Sequence, residues 1–206
     1  MPKALFIDLP DVNIDVSEIE PSLFELGKKY FRVPNNPRLK NYTKDGRRLL
    51  YETNKKYDLI FSDVYFSLFS VPTHFTTEEF FQIARDKLSP DGIFIANFIG
   101  DLLPQPPSFI FSEIKTFKSV FPNSYYFAVR SPDSLDSQNI IFVGLSGDKK
   151  IDFNAPEIKE NKNQVIRDLN KKLIILDNFD FSSYLKLTDN FSPVDFLIAK
   201  VLKRNF

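Results

Sequence analysis

A parallel, doubly wound α/β sheet with helices on both faces is the fold class this sequence predicts. Short β-rich runs alternate with stretches of helical periodicity between residues 12 and 145, and such alternation is the mark of successive βα units. Two of the runs, "YDLIFSDV" and "GIFIANFI", are almost continuously apolar, as strands covered on both faces are. The chain is 43% hydrophobic over 206 residues, enough for one sizeable core.

Each element has its own signal. "VNIDVSEI" is strand-like and ends in acids. "PSLFELGKKYF" follows as a helix, opened by Pro21, with Leu23, Phe24, Leu26, Tyr30 and Phe31 at helical spacing. "RLKNYT" is a short strand closed by the turn pair Asp45-Gly46, and "RRLLYET" a short helix. "YDLIFSDV" is a strand. "TTEEFFQIARDKL" is the clearest helix: Thr76 or Thr77 caps it, Glu78 and Glu79 suit its first turn, and Ser89-Pro90 ends it. After the strand "GIFIANFI", the helix "SFIFSEIKTFKSVF" carries the stripe Phe109, Ile110, Ile114, Phe117 and Phe121. "SYYFAV" and "NIIFVGL" close the series as strands. Beyond Gly147 the chain turns polar, so residues 1–147 are expected to form the sheet domain. Residues 148–206 then supply a linker and C-terminal helices that pack on it, over "VIRDLNKKLIIL" and "PVDFLIAKVLK".

Composition excludes several chemistries. There is no cysteine, hence no thiol nucleophile, disulfide or cysteine-based zinc site. A single histidine, His74, leaves one candidate base for a serine triad; as a loop residue it can equally begin the "TTEEFF" helix. Carboxylates in "DNFDF" and "TDNFSP" lack calcium-loop spacing, so no metal is expected. Zero net charge and a pI near 6.6 give no electrostatic footprint for nucleic acid. No apolar run approaches the ~20 residues of a membrane helix, and "PKALFIDLPD" is too short and too quickly acidic for a signal peptide. The expected location is the cytoplasm. The phenylalanine-rich stripes read as core.

Ligands of open parallel sheets bind beyond the carboxyl ends of the strands. Three acids stand at such ends: Glu18, Asp45 and Asp63. Each can be a plain turn or cap residue. Together they would line one edge in order, and a carboxylate's two acceptor oxygens suit a vicinal diol. Tyr65, on the loop beyond Asp63, can be a substrate contact or a covering aromatic.

The series "DVSEIEP", "YTKDGRRLL", "KYDLIFSDVY", "PTHFTTEEFFQIARDKLSPDGIFIANFIG" and "LTDNFSPVDFLIA" resembles the spermidine synthase-like family. It is closest to that family's divergent branch rather than to the well-characterised polyamine enzymes. The resemblance implies the Rossmann-like fold of class I S-adenosylmethionine-dependent transferases. It implies that the donor is S-adenosylmethionine or its decarboxylated form, with Glu18 on the ribose hydroxyls and Ile19 beside it. Asp45 falls at the adenine with Gly46 next to it, Asp63 is the catalytic acid that orients and deprotonates an attacking amine, and Tyr65 lies at the substrate. The implied partner is a small amine or other nucleophile, and a homodimer is allowed.

Two departures stand out. The family's D-x-x-D-P pattern puts a second acid where this chain has Phe66, so a cationic polyamine would lose a counter-charge, at a cost of several kcal/mol. The chain also contains no G-x-G. In the family a central strand and a glycine-rich loop precede the Glu18 strand, in a sheet of order 3-2-1-4-5-7-6. "MPKALFIDLPD" matches the helix after that loop, so the first central strand is expected to be missing; alternatively "KALFIDL" is itself a strand turning at Pro10-Asp11. Three functions stay open: aminopropyl transfer in polyamine biosynthesis, methyl transfer on the same scaffold, and a truncated or degenerate non-catalytic protein.

Overall fold

A computed structural model describes residues 2–65 and 70–205, with side chains as far as residue 201. The chain divides into two compact units, Met1–Asn54 and Lys55–Phe206.

The first unit runs α1 (Pro2–Asp8), β1 (Ile14–Glu18), α2 (Ser22–Phe31), β2 (Leu39–Thr43) and α3 (Gly46–Glu52). The opening stretch is a helix, as the resemblance implies. β1 and β2 pair in parallel from Ile14 opposite Leu39 to Glu18 opposite Thr43. α2 ends where Arg32 turns left-handed (φ 56°) and its N–H returns to the Gly27 carbonyl, which satisfies an orphan helix acceptor. The apolar stripe read from the sequence is present, but Tyr30 and Phe31 are 62% and 72% exposed. Leu50 is the one buried hydrophobic residue described in this unit.

The second unit holds β3 (Tyr57–Ser62), a 3₁₀ turn at Thr73–Phe75, α4 (Glu78–Asp86), β4 (Leu88–Gly100), α5 (Phe109–Val120), β5 (Ser124–Ala128) and β6 (Gln138–Leu145). The short helices α6 (Pro156–Lys159) and α7 (Gln164–Arg167) follow, then α8 (Val194–Asn205). Its sheet has the order β3-β4-β6-β5. β3 and β4 are parallel, and β6 is antiparallel to both its neighbours. The two sheets, β1-β2 and β3-β4-β6-β5, each reproduce a part of the expected order. Among the described residues no strand pairs with the second edge of β1 or of β3.

The core of the second unit lies between its sheet and α4 and α5. Phe80, Phe81, Phe94, Phe109, Phe117, Phe121 and Phe142 are each essentially fully buried. Their rings meet edge-to-face, as Phe81 and Phe117 do at 5.0 Å, or offset-stacked, as Phe94 and Phe121 do at 5.6 Å. Those are the geometries a ring quadrupole favours. Gly144 makes room for this: a Cβ there would stand 2.5 Å from the Phe121 ring.

Three expectations need correction. β3 is not covered on both faces: Ile60 is buried, while Leu59 and Phe61 are 39% and 37% exposed. Pairing on one edge and alternation of side chains leave these two residues off the face that packs inward. The α4 helix stops at Asp86, and Ser89-Pro90 falls inside β4 instead of ending the helix. The break it signals is a slip in the ladder, which passes from Tyr57 opposite Leu88 to Leu59 opposite Ile93, with Asp91 at φ 62°. Finally, "VIRDLNKKLIIL" is not one helix. It forms α7 and a 3₁₀ turn at Leu169–Lys172, then extends, so that Leu173 bridges Phe127 and the Ile174 N–H donates to the Tyr126 carbonyl at 2.8 Å. The β-branched tail of that run covers the outer edge of β5, which would otherwise be open to pairing.

Candidate functional site

The sequence-predicted residues fall on both units. In the first, parallel pairing brings the ends of β1 and β2 together. The Lys44 N–H donates to the Glu18 carbonyl at 3.1 Å, and the Ser17 hydroxyl to the Lys44 carbonyl at 2.6 Å. Glu18 and Asp45 thus stand at the same carboxyl end of the pair. One Glu18 carboxylate oxygen accepts from the Glu20 N–H at 3.0 Å. Asp45 caps α3, accepting from the Arg48 N–H at 2.9 Å, and Gly46 is the first residue of that helix. Ile19 is 60% exposed. On α3, Glu52 is gripped by Lys44 and Arg48, and these hydrogen bonds pull its carboxyl down to about 2.

In the second unit, Asp63 follows directly on β3, and Asn97 stands beside it on β4, where Ser62 pairs with Ala96. The Asn97 side-chain amide donates to Asp63 Oδ1 at 3.0 Å. The Tyr65 hydroxyl donates to the Asn97 backbone carbonyl at 3.1 Å. Burial, reinforced by the charge of Asp63, pushes the Tyr65 hydroxyl well above its ordinary range, so it stays protonated. Asn97 Oδ1 is buried and has no hydrogen-bond partner among the described residues. Asp101, just past the end of β4, is also buried and accepts from the Leu103 N–H at 3.2 Å. Phe66, at the family's second acid position, lies outside the described residues.

Sequence reasoning missed Asn97. Its signal was the one polar residue inside the apolar run "IFIANFI". It also missed Glu113, an acid between Ser112 and Ile114 on the buried side of α5. An open cleft of about 810 Å³ lies at the other end of the sheet, at the start of β4. Its cations are already engaged, Lys56 with the Asp86 carbonyl, Arg85 with the Val120 carbonyl and Lys149 with Asp91.

The α/β architecture, with acids at strand ends, is that of the Rossmann-like transferases. A probable spermidine synthase from Corynebacterium glutamicum superposes with a TM-score of 0.61 at 25% identity, over 75% of this chain and 55% of that one. Human methyltransferase-like protein 13, solved with SAH, superposes with a TM-score of 0.62 at 25% identity, over 95% of this chain and 83% of that one. A probable polyamine aminopropyl transferase of Bifidobacterium longum is 28% identical over 124 residues, 56% of this chain and 27% of that protein. The spermine/spermidine synthase domain model matches residues 10–155, and the chain belongs to that family. It spans only about a quarter of the Bifidobacterium protein and about half of the Corynebacterium chain. Among the described residues, no helix is long and apolar enough to cross a membrane.

Proposed function

We propose that this chain transfers an alkyl group from a sulfonium donor to an amine, with aminopropyl transfer from decarboxylated S-adenosylmethionine as the leading reaction. The observation that carries the reading is the Asp63–Asn97 pair. The Asn97 amide takes one oxygen of the Asp63 carboxylate and leaves the other to accept an N–H. Asn97 Oδ1, buried without a partner among the described residues, is a second acceptor. An amine carries enough donors for both, and an orphan acceptor gains most from a ligand that donates to it.

The chemistry is an in-line displacement. The amine lone pair attacks the carbon next to the sulfonium, the C–S bond breaks, and its electron pair stays on sulfur as a neutral thioether. Asp63 takes the N–H proton as the new C–N bond forms. Positioning supplies most of such a rate, and a base contributes about 10²–10⁴-fold. On the donor side, Glu18 would hold the ribose hydroxyls and Asp45 the adenine edge, with exposed Ile19 against the purine face. Carboxylate acceptors suit the ribose hydroxyls and the adenine amino group at the nucleoside end of a donor. The sequence has no G-x-G for the methionine end. The acceptor is a small amine and the setting cytoplasmic; a homodimer is compatible with the reading.

Methyl transfer is the second reading, favoured by one observation: the human methyltransferase structure is matched over 95% of this chain and 83% of its own. Incubation with S-adenosylmethionine and with its decarboxylated form, each with a panel of amines, separates the two. Aminopropylated product from the decarboxylated donor supports the leading reading, and methylated product from the ordinary donor the second. Absence of both, with no nucleoside binding, supports a non-catalytic chain.

A further inference from the structure

Asp63 and Asn97 meet on one face of the second unit's sheet, and that face is otherwise apolar. Burial alternates along β4 and β6. Phe94, Ala96 and Phe98 are almost fully buried, on the side where Phe94 meets Phe81 of α4 and a Cβ on Gly100 would meet Ile110 of α5. Side chains of a strand alternate between faces, so Ile95, Asn97 and Ile99 point the other way. The ladder sets their neighbours. Ile95 lies between Phe61 of β3 and Val143 of β6, Asn97 is opposite Ile141, and Ile99 is opposite Asn139. Directly opposed side chains stand about 4.5–5.5 Å apart at Cβ. The Asp63–Asn97 pair, joined at 3.0 Å, is therefore bordered by Ile95, Ile99, Ile141 and Phe61.

That border offers a ligand one charge. Across residues 59–63, 93–99 and 139–145, Asp63 is the only charged residue. Tyr65 adds none, since its hydroxyl donates to the Asn97 carbonyl at 3.1 Å. Glu113 is carried by α5, in the helix layer against the other face. The Asp101 carboxylate accepts from the Leu103 N–H at 3.2 Å, and Asp101 stands four residues beyond Asn97, about 13 Å along an extended chain. The free oxygen of Asp63 and the buried Oδ1 of Asn97 are acceptors enough for one amino group. A second ammonium on the same small molecule would meet hydrocarbon, and a charge taken from water without a partner is strongly disfavoured.

We propose that the acceptor is a monoamine with an apolar body, its one amino group held by Asp63 and Asn97 and its alkyl chain laid against the border of Ile95, Ile99, Ile141 and Phe61. The inference rests on the reading of Asp63 and Asn97 as the amine site and adds the class of amine. Selection against a diamine of equal length comes from the uncharged border rather than from size. Selection for a longer alkyl chain comes from the additional methylenes that leave water.

The test is calorimetry of the whole chain with matched probes, butylamine against diaminobutane and hexylamine against diaminohexane, near neutral pH, where both amino groups of a free diamine are protonated. The expected result is that each monoamine binds about tenfold or more tighter than its diamine, and hexylamine tighter than butylamine. Asp63→Asn should weaken binding of every probe. Ile99→Glu sets a carboxylate beside Asn97 in the apolar border and should narrow or reverse the preference for monoamines. Diamines that bind wild type as tightly as their monoamines, or tighter, overturn the inference and leave the amine site standing. Binding of no amine overturns the inference together with the reading it rests on. A folded Ile99→Glu whose preference matches wild type also overturns the inference; should that variant fail to fold, the wild-type ratios decide.

Discussion

The Asn97 amide holds Asp63 Oδ1 at 3.0 Å, while the backbone carbonyl of the same asparagine receives the Tyr65 hydroxyl at 3.1 Å. One residue of β4 thus fixes two residues of the chain that leaves β3. If Asp63 is the acid that receives the amine proton, its orientation is set from Asn97. Replacing Asn97 by Ala frees the carboxylate and removes a charge-assisted hydrogen bond, worth about 1.5–3 kcal/mol. Turnover should fall about 10–100-fold with little change in donor affinity, and steady-state kinetics beside donor-binding calorimetry checks this.

Asn97→Asp is a different test of the same pair. It sets a second carboxylate against Asp63, and two like charges at that distance cannot both ionise freely. The basic form of the pair then appears only at higher pH. The acid limb of the pH–rate profile should move upward in Asn97→Asp, and further than in Asn97→Ala, which only loses the amide's bond to the carboxylate.

Glu18→Gln keeps the side-chain shape and loses the charge that favours ribose hydroxyls. Binding of methylthioadenosine should weaken by about 1.5–3 kcal/mol. Calorimetry that finds equal affinity would remove Glu18 from the donor site.

The phenylalanine core gives a stability prediction. Phe117 is fully buried and meets Phe81, Phe94, Phe121, Tyr126 and Phe142 within about 6 Å. Phe117→Ala should cost about 3–5 kcal/mol, a large share of a domain's ~5–15 kcal/mol, and denaturant unfolding measures it.

The two units should differ in local stability. The first buries one described hydrophobic residue, Leu50, and the second a full set of phenylalanines. Opening costs less where few apolar contacts must break. Hydrogen exchange should therefore be much faster at Ile14–Glu18 than at Phe94–Phe98.

Much of this was legible in the sequence because the signals were local. The helical spacing of "SFIFSEIKTFKSVF" gave α5, and the Thr77 and Asp45 caps marked the starts of α4 and α3. What escaped depends on distant neighbours. Whether "VIRDLNKKLIIL" is a helix is decided by the open edge of β5, some forty residues earlier, which takes Leu173 and Ile174 in extended form. Exposure of Leu59 and Phe61 depends on what lies beside β3, and periodicity does not report that. Of the candidate residues, Glu18, Asp45 and Asp63 could be named from their places at strand ends. Asp45 also serves as a helix cap, since one of its oxygens accepts from the Arg48 N–H at the start of α3. Asn97 needed the β3–β4 register, and the full burial of Glu113 needed the packing around α5.

The most direct test of the central claim is mass spectrometry of an amine acceptor after incubation with the chain and decarboxylated S-adenosylmethionine, wild type beside Asp63→Asn. The account predicts an aminopropylated amine and free methylthioadenosine with wild type. It predicts a rate about 10²–10⁴-fold lower with Asp63→Asn, whose donor binding is unchanged. Turnover by Asp63→Asn within a few-fold of wild type would contradict it.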